Sequence, residues 1–257
     1  MTTKLIQITD RDTWLEKRGH YVTSTEASAI WGLNLNLTHY EMWHIKRGLL
    51  PKADIEDNNF MLFGRLMEDT VCQMIMHEHS DWQIAPMRVF AYDDEDRIGS
   101  SFDRVVTIPD KGTGLLEIKT TSYKYWKENF TEEDGHIETE EDGHIEAIPK
   151  YEIQAQVELE VLNRYDWILI CVFIADTRTL KYIFRERDRE MGAEIRKAVR
   201  EFWQSTEAPA PDFARDKSAI AKLMPKLEKD KAMDATENAR ITELAAMYLS
   251  EKQLIKQ

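Results

Sequence analysis

Three residues with the chemistry of phosphodiester hydrolysis fall within seventeen positions of this chain. Asp103 lies in Gly-Ser-Ser-Phe-Asp-Arg-Val-Val, and Glu117 and Lys119 flank Ile118 in the next strand-like run. Because a strand points residues i and i+2 to the same face, Glu117 and Lys119 emerge side by side. Carboxylate oxygens hold Mg²⁺, which activates water and offsets developing phosphate charge, and a neighbouring lysine orients or deprotonates that water. The spacing therefore predicts a metal-dependent hydrolytic site.

The stretch between the two runs decides whether these groups meet. Residues 109–114 have the composition of a hairpin turn, which folds Asp103 back toward Glu117. Acid-x-Lys pairs also occur in solvated surface hairpins, but apolar residues surround both acids here, as in central buried strands. Buried charges require a partner or a metal. Asp110 competes for the role of first acid, but Pro-Asp is ordinary turn chemistry, so we assign Asp103.

Composition describes a globular protein with one sizeable core and an extension. The chain has 257 residues, of which 32% are charged and 42% hydrophobic. The longest apolar run, residues 167–175, has strand length and falls short of the roughly 20 residues that a membrane helix requires. The first residues lack the apolar run of a signal peptide, and two cysteines do not make a disulfide framework or a cysteine-ligated cluster. We expect a cytoplasmic protein with no membrane partner.

The charge is unevenly distributed. A net charge of −13 argues at first against a nucleic-acid ligand. However, residues 131–146 are two identical copies of Thr-Glu-Glu-Asp-Gly-His-Ile-Glu, with eight acids and no base. We interpret this segment as a solvated surface insertion; the alternatives are a flap that excludes the wrong DNA strand, or metal ligation by His136 and His144. The local field of a cleft matters more than the total charge.

Hydrophobic periodicity and turn residues predict a mixed α/β fold. Helices are expected at 10–19, 24–32, 38–48, 58–80, 149–162 and 188–205. Strands are expected at 83–92, 98–108, 115–121, 166–175 and 179–185. A proline-rich break at 207–212 divides a domain of residues 1–205 from a linker and helical C-terminal extension, 206–257. An apolar stripe in that extension either packs on its own core or docks a partner.

Further motifs accompany the paired acids in a recognisable order. They are Trp14 with Lys17-Arg18-Gly19, then Thr23-Ser24-Thr25-Glu26-Ala27, Gly64-Arg65-Leu66-Met67-Glu68 and, after Glu117-Ile118-Lys119, Gln154-Ala155-Gln156. Taken alone, Glu68 is typical of a helix-surface acid and Gln154 of a polar helix residue. Together the motifs resemble the lambda-exonuclease or YqaJ-type viral recombinase family, within the PD-(D/E)xK nuclease superfamily. The resemblance covers about residues 10–205.

This resemblance implies a fold, an activity and partners. The fold would be a restriction-endonuclease-like central sheet flanked by helices. The activity would be that of a Mg²⁺-dependent, processive 5′-to-3′ double-stranded DNA exonuclease of a phage or prophage, acting in the cytoplasm of a bacterial host. It would release mononucleotides and leave 3′ single strands for recombination by strand annealing. The expected cofactor is two Mg²⁺ ions, with Mn²⁺ as a substitute, and the expected partners are double-stranded DNA ends, a single-strand annealing protein and two further copies in a ring-shaped homotrimer.

The resemblance also assigns roles to individual residues. Asp103, Glu117, the Ile118 carbonyl and Glu68 would bind metal, and Lys119 and Gln154 would orient or activate the attacking water. Arg18, Thr25 and Ser101 would bind the 5′-phosphate, for which a guanidinium fork is chemically suited. Asp93 lies where the family often has a further acid, although it begins an acidic loop.

Two departures from the family pattern are visible. The usual Ser-Pro-Asp-Gly turn is here Ser101-Phe102-Asp103-Arg104, and residues 32–36 lack the second basic residue that often joins the phosphate pocket. A preference for phosphorylated 5′ ends is therefore less firmly implied than nuclease activity.

Rival functions remain to be distinguished by experiment. One is a restriction-type DNA endonuclease, which would cut closed circular DNA. Another is a non-catalytic DNA-end-binding recombination factor, although the intact set of Asp103, Glu117 and Lys119 speaks against it. A Cas4-like nuclease is disfavoured because its iron–sulfur cluster needs four cysteines and the chain has two.

Overall fold

The computed structural model describes residues 3–52, 58–130, 148–224 and 239–254. Its mixed α/β architecture confirms the predicted fold class. The strands are β1 (Lys4–Gln7), β2 (Val22–Thr23), β3 (Gln83–Pro86), β4 (Val89–Asp93), β5 (Ile98–Ser101), β6 (Arg104–Ile108), β7 (Gly112–Thr121), β8 (Trp167–Ile174) and β9 (Thr179–Glu186). The helices are α1 (Arg11–Gly19), α2 (Ser24–Ala27), α3 (His39–Lys46), α4 (Asn59–Glu78), α5 (Tyr123–Asn129), α6 (Pro149–Leu162), α7 (Arg189–Gln204), α8 (Lys217–Leu223) and α9 (Ala239–Leu254); a 3-10 turn, Ser28–Trp31, continues α2. The acidic repeat, 131–146, with His136 and His144, lies outside the described residues.

The larger sheet has five strands in the order β3-β6-β7-β8-β9. β7 runs antiparallel to β6 and parallel to β8, so that Glu117 and Lys119 stand opposite Ile170 and Val172. Every residue of β8 is buried, as is the middle of β7. The run that carries Glu117 is therefore a central strand, as its apolar neighbours predict.

A second sheet, of four strands in the order β1-β4-β5-β2, was not predicted. The two predicted strands 83–92 and 98–108 each divide between the sheets: β3 pairs with β6 in the larger sheet, and β4 pairs with β5 in the smaller one. The first segment passes from the larger to the smaller sheet at residues 87–88, and the second passes back at Phe102–Asp103. At this point the Met87 N–H donates to the Asp103 carbonyl at 3.4 Å. Asp103 thus lies where the chain crosses from one sheet to the other.

Helices cover both faces of the larger sheet. α6 contacts β8 and also β4 and β5 of the smaller sheet, and its residues from Ile153 to Leu162 are all buried. On the other face, Val71 and Ile75 of α4 pack with Leu116 and Ile118. Because side chains alternate along β7, Glu117 and Lys119 point away from α4 and toward α6.

The predicted helices agree with the observed ones to within a few residues, and 149–162 has the observed bounds. The sequence did not predict β1, β2 or α5. β2 has only two residues, which is too short for a periodic signal. α5 is also short, and Ser122 begins it by accepting a hydrogen bond from the Tyr125 N–H at 3.2 Å.

By its contacts the chain forms two compact units, Met1–Ala219 and Ile220–Gln257. The first unit includes residues beyond the predicted boundary at 205; there, buried Asp216 accepts a hydrogen bond from the Thr38 hydroxyl. In the second unit the described side chains of α9, 241–248, are exposed. The domain assignment itself stays a prediction. None of the helices in the described ranges has the length and apolar character needed to cross a membrane.

Gly114 offers a test of the packing between β7 and β8. A Cβ atom at this position would lie 2.3 Å from Cδ2 of Trp167, inside van der Waals contact. We expect Gly114→Ala to lower the free energy of unfolding by about 1–3 kcal/mol, because the indole has to move. Gly64→Ala is the matched control: no heavy atom lies within 4 Å of its Cβ, and in the middle of α4 it should raise stability by about 0.5–1 kcal/mol. Urea unfolding followed by circular dichroism measures both, and equal stability of Gly114→Ala and the parent would contradict this packing.

Candidate active site

Asp103 is held beside Glu117 by the backbone of β7. Its Oδ2 accepts a hydrogen bond from the Ile118 N–H at 2.9 Å. Burial raises the pKa of Asp103 well above its usual range, and repulsion from Glu117 and Glu68 raises it further. The structure therefore holds the Asp103 carboxylate on the backbone next to Glu117, and Glu68 is close enough to act on the pKa of Asp103.

Lys119 and Gln154 converge on the carboxylate of Glu117. Lys119 Nζ donates to Glu117 Oε1 at 2.6 Å and to Gln154 Oε1 at 2.9 Å. Gln154 Nε2 donates to the same Glu117 oxygen at 2.6 Å. The ammonium, the amide and the carboxylate thus form a closed triangle, which fixes all three side chains against the sheet.

Glu158 is a buried acid that the sequence analysis did not single out. It lies one helical turn after Gln154 and accepts a hydrogen bond from Gln154 Nε2 at 2.9 Å. Burial, followed by repulsion from Glu117, raises the pKa of Glu158 well above its ordinary value. With both N–H bonds of the Gln154 amide directed at acids, its carbonyl is left facing Lys119. The i,i+4 spacing from Gln154 was the signal that could have identified Glu158.

Glu68, on α4, faces the site from the opposite side of β7. Burial raises its pKa, Arg104 opposes that effect, and Glu117 adds to it. Arg104 lies 3.6 Å from Glu68 and donates to Asp69 at 2.6 Å. Arg104 occupies the position that is glycine in the family turn, so this chain places a cation where the pattern has no side chain.

The donor set suits a hard divalent cation. Within the described ranges, no three His, Cys, Asp or Glu side chains stand in the arrangement of a ready-made metal cluster. Burial and then repulsion from Glu117 and Glu68 nevertheless raise the pKa of Asp103, and carboxylate oxygens are the preferred ligands of Mg²⁺. A cation between these acids would relieve the repulsion, so the residues fit such a group.

The three predicted phosphate-binding residues lie together. Arg18 donates to the hydroxyls of Thr25 at 3.0 Å, Thr23 at 3.3 Å and Ser101 at 3.5 Å, and its guanidinium lies 4.7 Å from the ring centroid of Trp14. No carboxylate of the described ranges is within ion-pair distance of Arg18. The guanidinium is therefore held by neutral groups and keeps its charge available.

Electrostatics places this pocket close to the acids. Burial lowers the pKa of Arg18, and the carboxylates of Glu26, Glu158 and Glu117 oppose that change. Glu117 belongs to the acid cluster and Glu158 binds Gln154, so the guanidinium lies within the field of both. The charge of Arg18 thus links the predicted phosphate site to the hydrolytic residues.

A buried ion pair beneath the pocket escaped the sequence analysis. Lys46 Nζ lies 2.7 Å from Glu26 Oε2 and donates to the carbonyls of Arg18 and Tyr21. Glu26 in turn accepts the Thr23 N–H and hydroxyl, which forms a capping box at the start of α2. The pair therefore fixes the corner between α1 and α2 that presents Arg18.

Asp93, whose role was left open, is bound within a structural ion network. Its carboxylate lies 3.2 Å from the buried guanidinium of Arg196, which also binds Asp96 and Glu160 at 2.7 Å each. These contacts give Asp93 a place in the scaffold between the smaller sheet and α7.

Comparisons with known proteins identify what this arrangement is similar to. The model of the YqaJ-like viral recombinase domain matches residues 13–164. The protein named "Uncharacterized protein YqaJ" from Bacillus subtilis (strain 168) is 29% identical over 256 residues, which cover 96% of this chain and 73% of that protein.

Solved structures share the fold. The crystal structure of an alkaline exonuclease, LHK-Exo, from Laribacter hongkongensis superposes with a TM-score of 0.54 at 20% identity, covering 83% of this chain and all of that one. The structure of LHK-Exo in complex with dAMP gives 0.55 at 19% identity with the same coverage. The predicted restriction-endonuclease-like fold is thereby confirmed.

The Glu26–Lys46 pair predicts acid sensitivity. Burial by itself raises the pKa of Glu26, but Lys46, Arg18 and Lys52 outweigh it and lower the pKa to about 2 from the ordinary 4.5. A lowered folded-state pKa stabilises the protein above pH 4.5, and the stabilisation is lost as the pH falls from 4.5 to 2. By linkage Glu26 contributes on the order of 3 kcal/mol. The pKa of Lys46, which burial lowers against the pull of Glu26, affects only the alkaline side.

We therefore expect Glu26→Gln to be less stable at pH 7 and to show a flatter stability profile between pH 4.5 and 2. Urea unfolding at several pH values measures this. Glu190→Gln, at an exposed position in the first turn of α7, is the control. Parallel profiles for Glu26→Gln and the parent would show that the pair does not titrate in this way.

Proposed function

Since this chain belongs to the YqaJ-like viral recombinase family, as its motifs predicted, we propose that it is a 5′-to-3′ double-stranded DNA exonuclease. It acts on DNA ends, releases mononucleotides and leaves 3′ single strands for phage-type recombination by strand annealing. The rival functions, a restriction-type endonuclease and a non-catalytic end-binding factor, use the same residues differently and are separated by the experiment below.

One observation carries this proposal: the Arg18 guanidinium, held by neutral hydroxyl groups, lies within electrostatic reach of a carboxylate and lysine cluster. Arg18 is oriented by the hydroxyls of Thr25 and Ser101, and Glu117 acts on its pKa. A terminal 5′-phosphate held by Arg18 would position the first phosphodiester bond at the acids. An endonuclease has no need of a terminal phosphate site beside its cleavage residues.

The hydrogen bonds support the proposed hydrolytic roles. Asp103, Glu117, Glu68 and the Ile118 carbonyl would hold a divalent cation, which would supply activation of water and neutralisation of phosphate charge; we propose Mg²⁺, with two ions and with Mn²⁺ as a substitute. Lys119, held by Glu117 and Gln154, keeps an ammonium at the position of attack, where it orients the water and offsets negative charge. Burial opposes the charged form of Lys119, but Glu117 and then Tyr151 raise its pKa, which favours the ammonium form.

Assembly and partners are part of the same proposal. We expect a ring-shaped homotrimer that encloses the DNA and so works processively, together with a single-strand annealing protein that coats the product, in the cytoplasm of a bacterial host. The first turns of α4 support self-association, because Phe60, Phe63 and Leu66 are 90%, 45% and 67% exposed and apolar clusters of this kind usually meet another surface.

Digestion of one linear duplex tests the activity. The strands are labelled separately at their 5′ and 3′ ends and incubated with Mg²⁺ or with EDTA, beside the same DNA as a closed circle. We expect metal-dependent release of the 5′ label with the circle intact. Lys119→Ala is the inactive control and should lose about 10²–10⁴-fold in turnover while still binding DNA; Lys181→Ala, on β9 of the same sheet, should remain active. Cutting of the circle would favour the endonuclease, and binding without cleavage by the parent would favour the end-binding factor.

Arg18 predicts a preference for phosphorylated ends. On a duplex with 5′-phosphates, Arg18→Gln should lower kcat/KM roughly 10- to 100-fold, because hydrogen bonds to charged groups contribute about 1.5–3 kcal/mol. On a duplex with 5′-hydroxyl ends the variant and the parent should be nearly equal. Arg189→Gln, at a position 73% exposed, controls for loss of charge. An equal loss of kcat/KM on both kinds of end would show that Arg18 does not bind the 5′-phosphate.

A further inference from the structure

A group of lysines and tyrosines lies beside the hydrolytic residues, and its two lysines have no role in the site described so far. We call Tyr123, Lys127, Lys150 and Tyr151 the tyrosine–lysine surface. Lys127 Nζ lies 5.3 Å from the ring centroid of Tyr123, and Lys150 Nζ lies 4.8 Å from that of Tyr151. Lys150 also donates to the Tyr125 hydroxyl at 3.2 Å. Each ammonium group is thus positioned by an aromatic ring.

The lysines of this surface keep their charge available. Within residues 3–52, 58–130, 148–224 and 239–254, neither Lys127 nor Lys150 has a carboxylate within ion-pair distance. The nearby acids are engaged elsewhere: Glu128 lies 3.8 Å from Lys124, and Glu152 lies 2.6 Å from Arg185. A ring attracts a cation without neutralising it, so among the described residues no group neutralises the charge of either lysine.

The surface is continuous with the hydrolytic site. Lys119 Nζ lies 4.9 Å from the centroid of Tyr151, so that Lys119 and Lys150 share one ring. Tyr123 follows directly after β7, the strand that carries Glu117, and is 39% exposed. An anion bound at Lys150 would therefore neighbour one bound at Lys119.

The order of groups along α6 gives the surface a direction. Lys150 and Tyr151 stand in its first turn, Gln154 follows at the acids, and Glu158, which acts on Arg18, comes next. At about 1.5 Å per residue, the positions of Tyr151 and Glu158 are separated by roughly 10 Å along the axis. The hydrolytic residues thus lie between the tyrosine–lysine surface and the phosphate pocket.

We propose that Lys127 and Lys150 bind phosphates of the strand under degradation, on the 3′ side of the scissile bond. The proposal rests on the proposed function, since it takes Arg18 as the site of the 5′-phosphate. With the 5′ end held there, the rest of the strand passes the acids and continues over Lys150 toward Lys127. These contacts hold the next nucleotides after each cut, so they act on substrate binding and not on the hydrolytic step.

The test compares Lys127→Gln/Lys150→Gln with the parent in two assays. Affinity for a long 5′-phosphorylated duplex is titrated in EDTA across a range of salt concentrations, and the single-turnover release of the first nucleotide from the same duplex is measured with Mg²⁺ at saturating protein concentration. We expect weaker binding of the duplex and a slope of log K against log salt that is shallower by about 1–2, because each lost phosphate contact removes about 0.7–0.9. The single-turnover rate should be unchanged.

Two variants serve as controls. Lys111→Gln removes a lysine that also lies on aromatic rings, 4.8 Å from Phe184, at the far end of β7, and should match the parent in both assays. Lys127→Arg/Lys150→Arg keeps the charges and should restore the salt slope. If the double glutamine variant is unstable to heating, Lys127→Gln alone, at an exposed position, should lower the slope by about half as much.

A duplex affinity and salt slope equal to those of the parent would overturn the assignment, and so would an equal effect of Lys111→Gln. Slower single-turnover release by the double variant would place the lysines in the hydrolytic step and also overturn it. If the parent does not cleave the duplex, the proposed nuclease function fails, while the binding titration still decides whether the surface contacts DNA.

Discussion

Burial of α6 on every face is the constraint on which the rest of the structure depends. All residues from Ile153 to Leu162 are buried, and four of them are polar: Gln154, Gln156, Glu158 and Glu160. A buried polar group without a partner costs about 1–3 kcal/mol. Each of the four must therefore meet a matching group on another element, and those matches determine how the elements around α6 are arranged.

The partners of these four polar side chains are of two kinds, hydrolytic residues and structural groups. Gln154 and Glu158 reach the acid cluster. Gln156 instead donates to the Glu186 carbonyl and accepts the Asp188 N–H, which joins the end of β9 to the start of α7. Glu160 binds Arg196, whose guanidinium also holds the turn between β4 and β5. One helix thus aligns the hydrolytic groups and ties the smaller sheet to the larger.

Sequence patterns predicted those features of the fold that depend on local composition or on a periodic order of residues. The apolar residues around Glu117 predicted a central strand, and the apolar run at 166–175 predicted one of strand length; the structure has a buried strand at both places, because burial is visible in composition. The bend at Phe102–Asp103 left no such trace, since residues on both sides favour strands and the division between two sheets arises from tertiary packing. Lys46 and Glu158 were missed for a related reason: a charged residue in a helix is usually solvated, and only its neighbours in space show that it is buried.

The crossing of the chain between the sheets gives Asp103 an unusual mechanical position. Asp103 stands where the chain changes sheet, yet its carboxylate is tied to the larger sheet by the Ile118 N–H. Since α6 contacts β8 as well as β4 and β5, one helix joins the two sheets whose crossing Asp103 occupies. A substitution in this interface that shifted one sheet against the other would therefore act on the Asp103 hydrogen bond, although the substituted residue touched none of the acids.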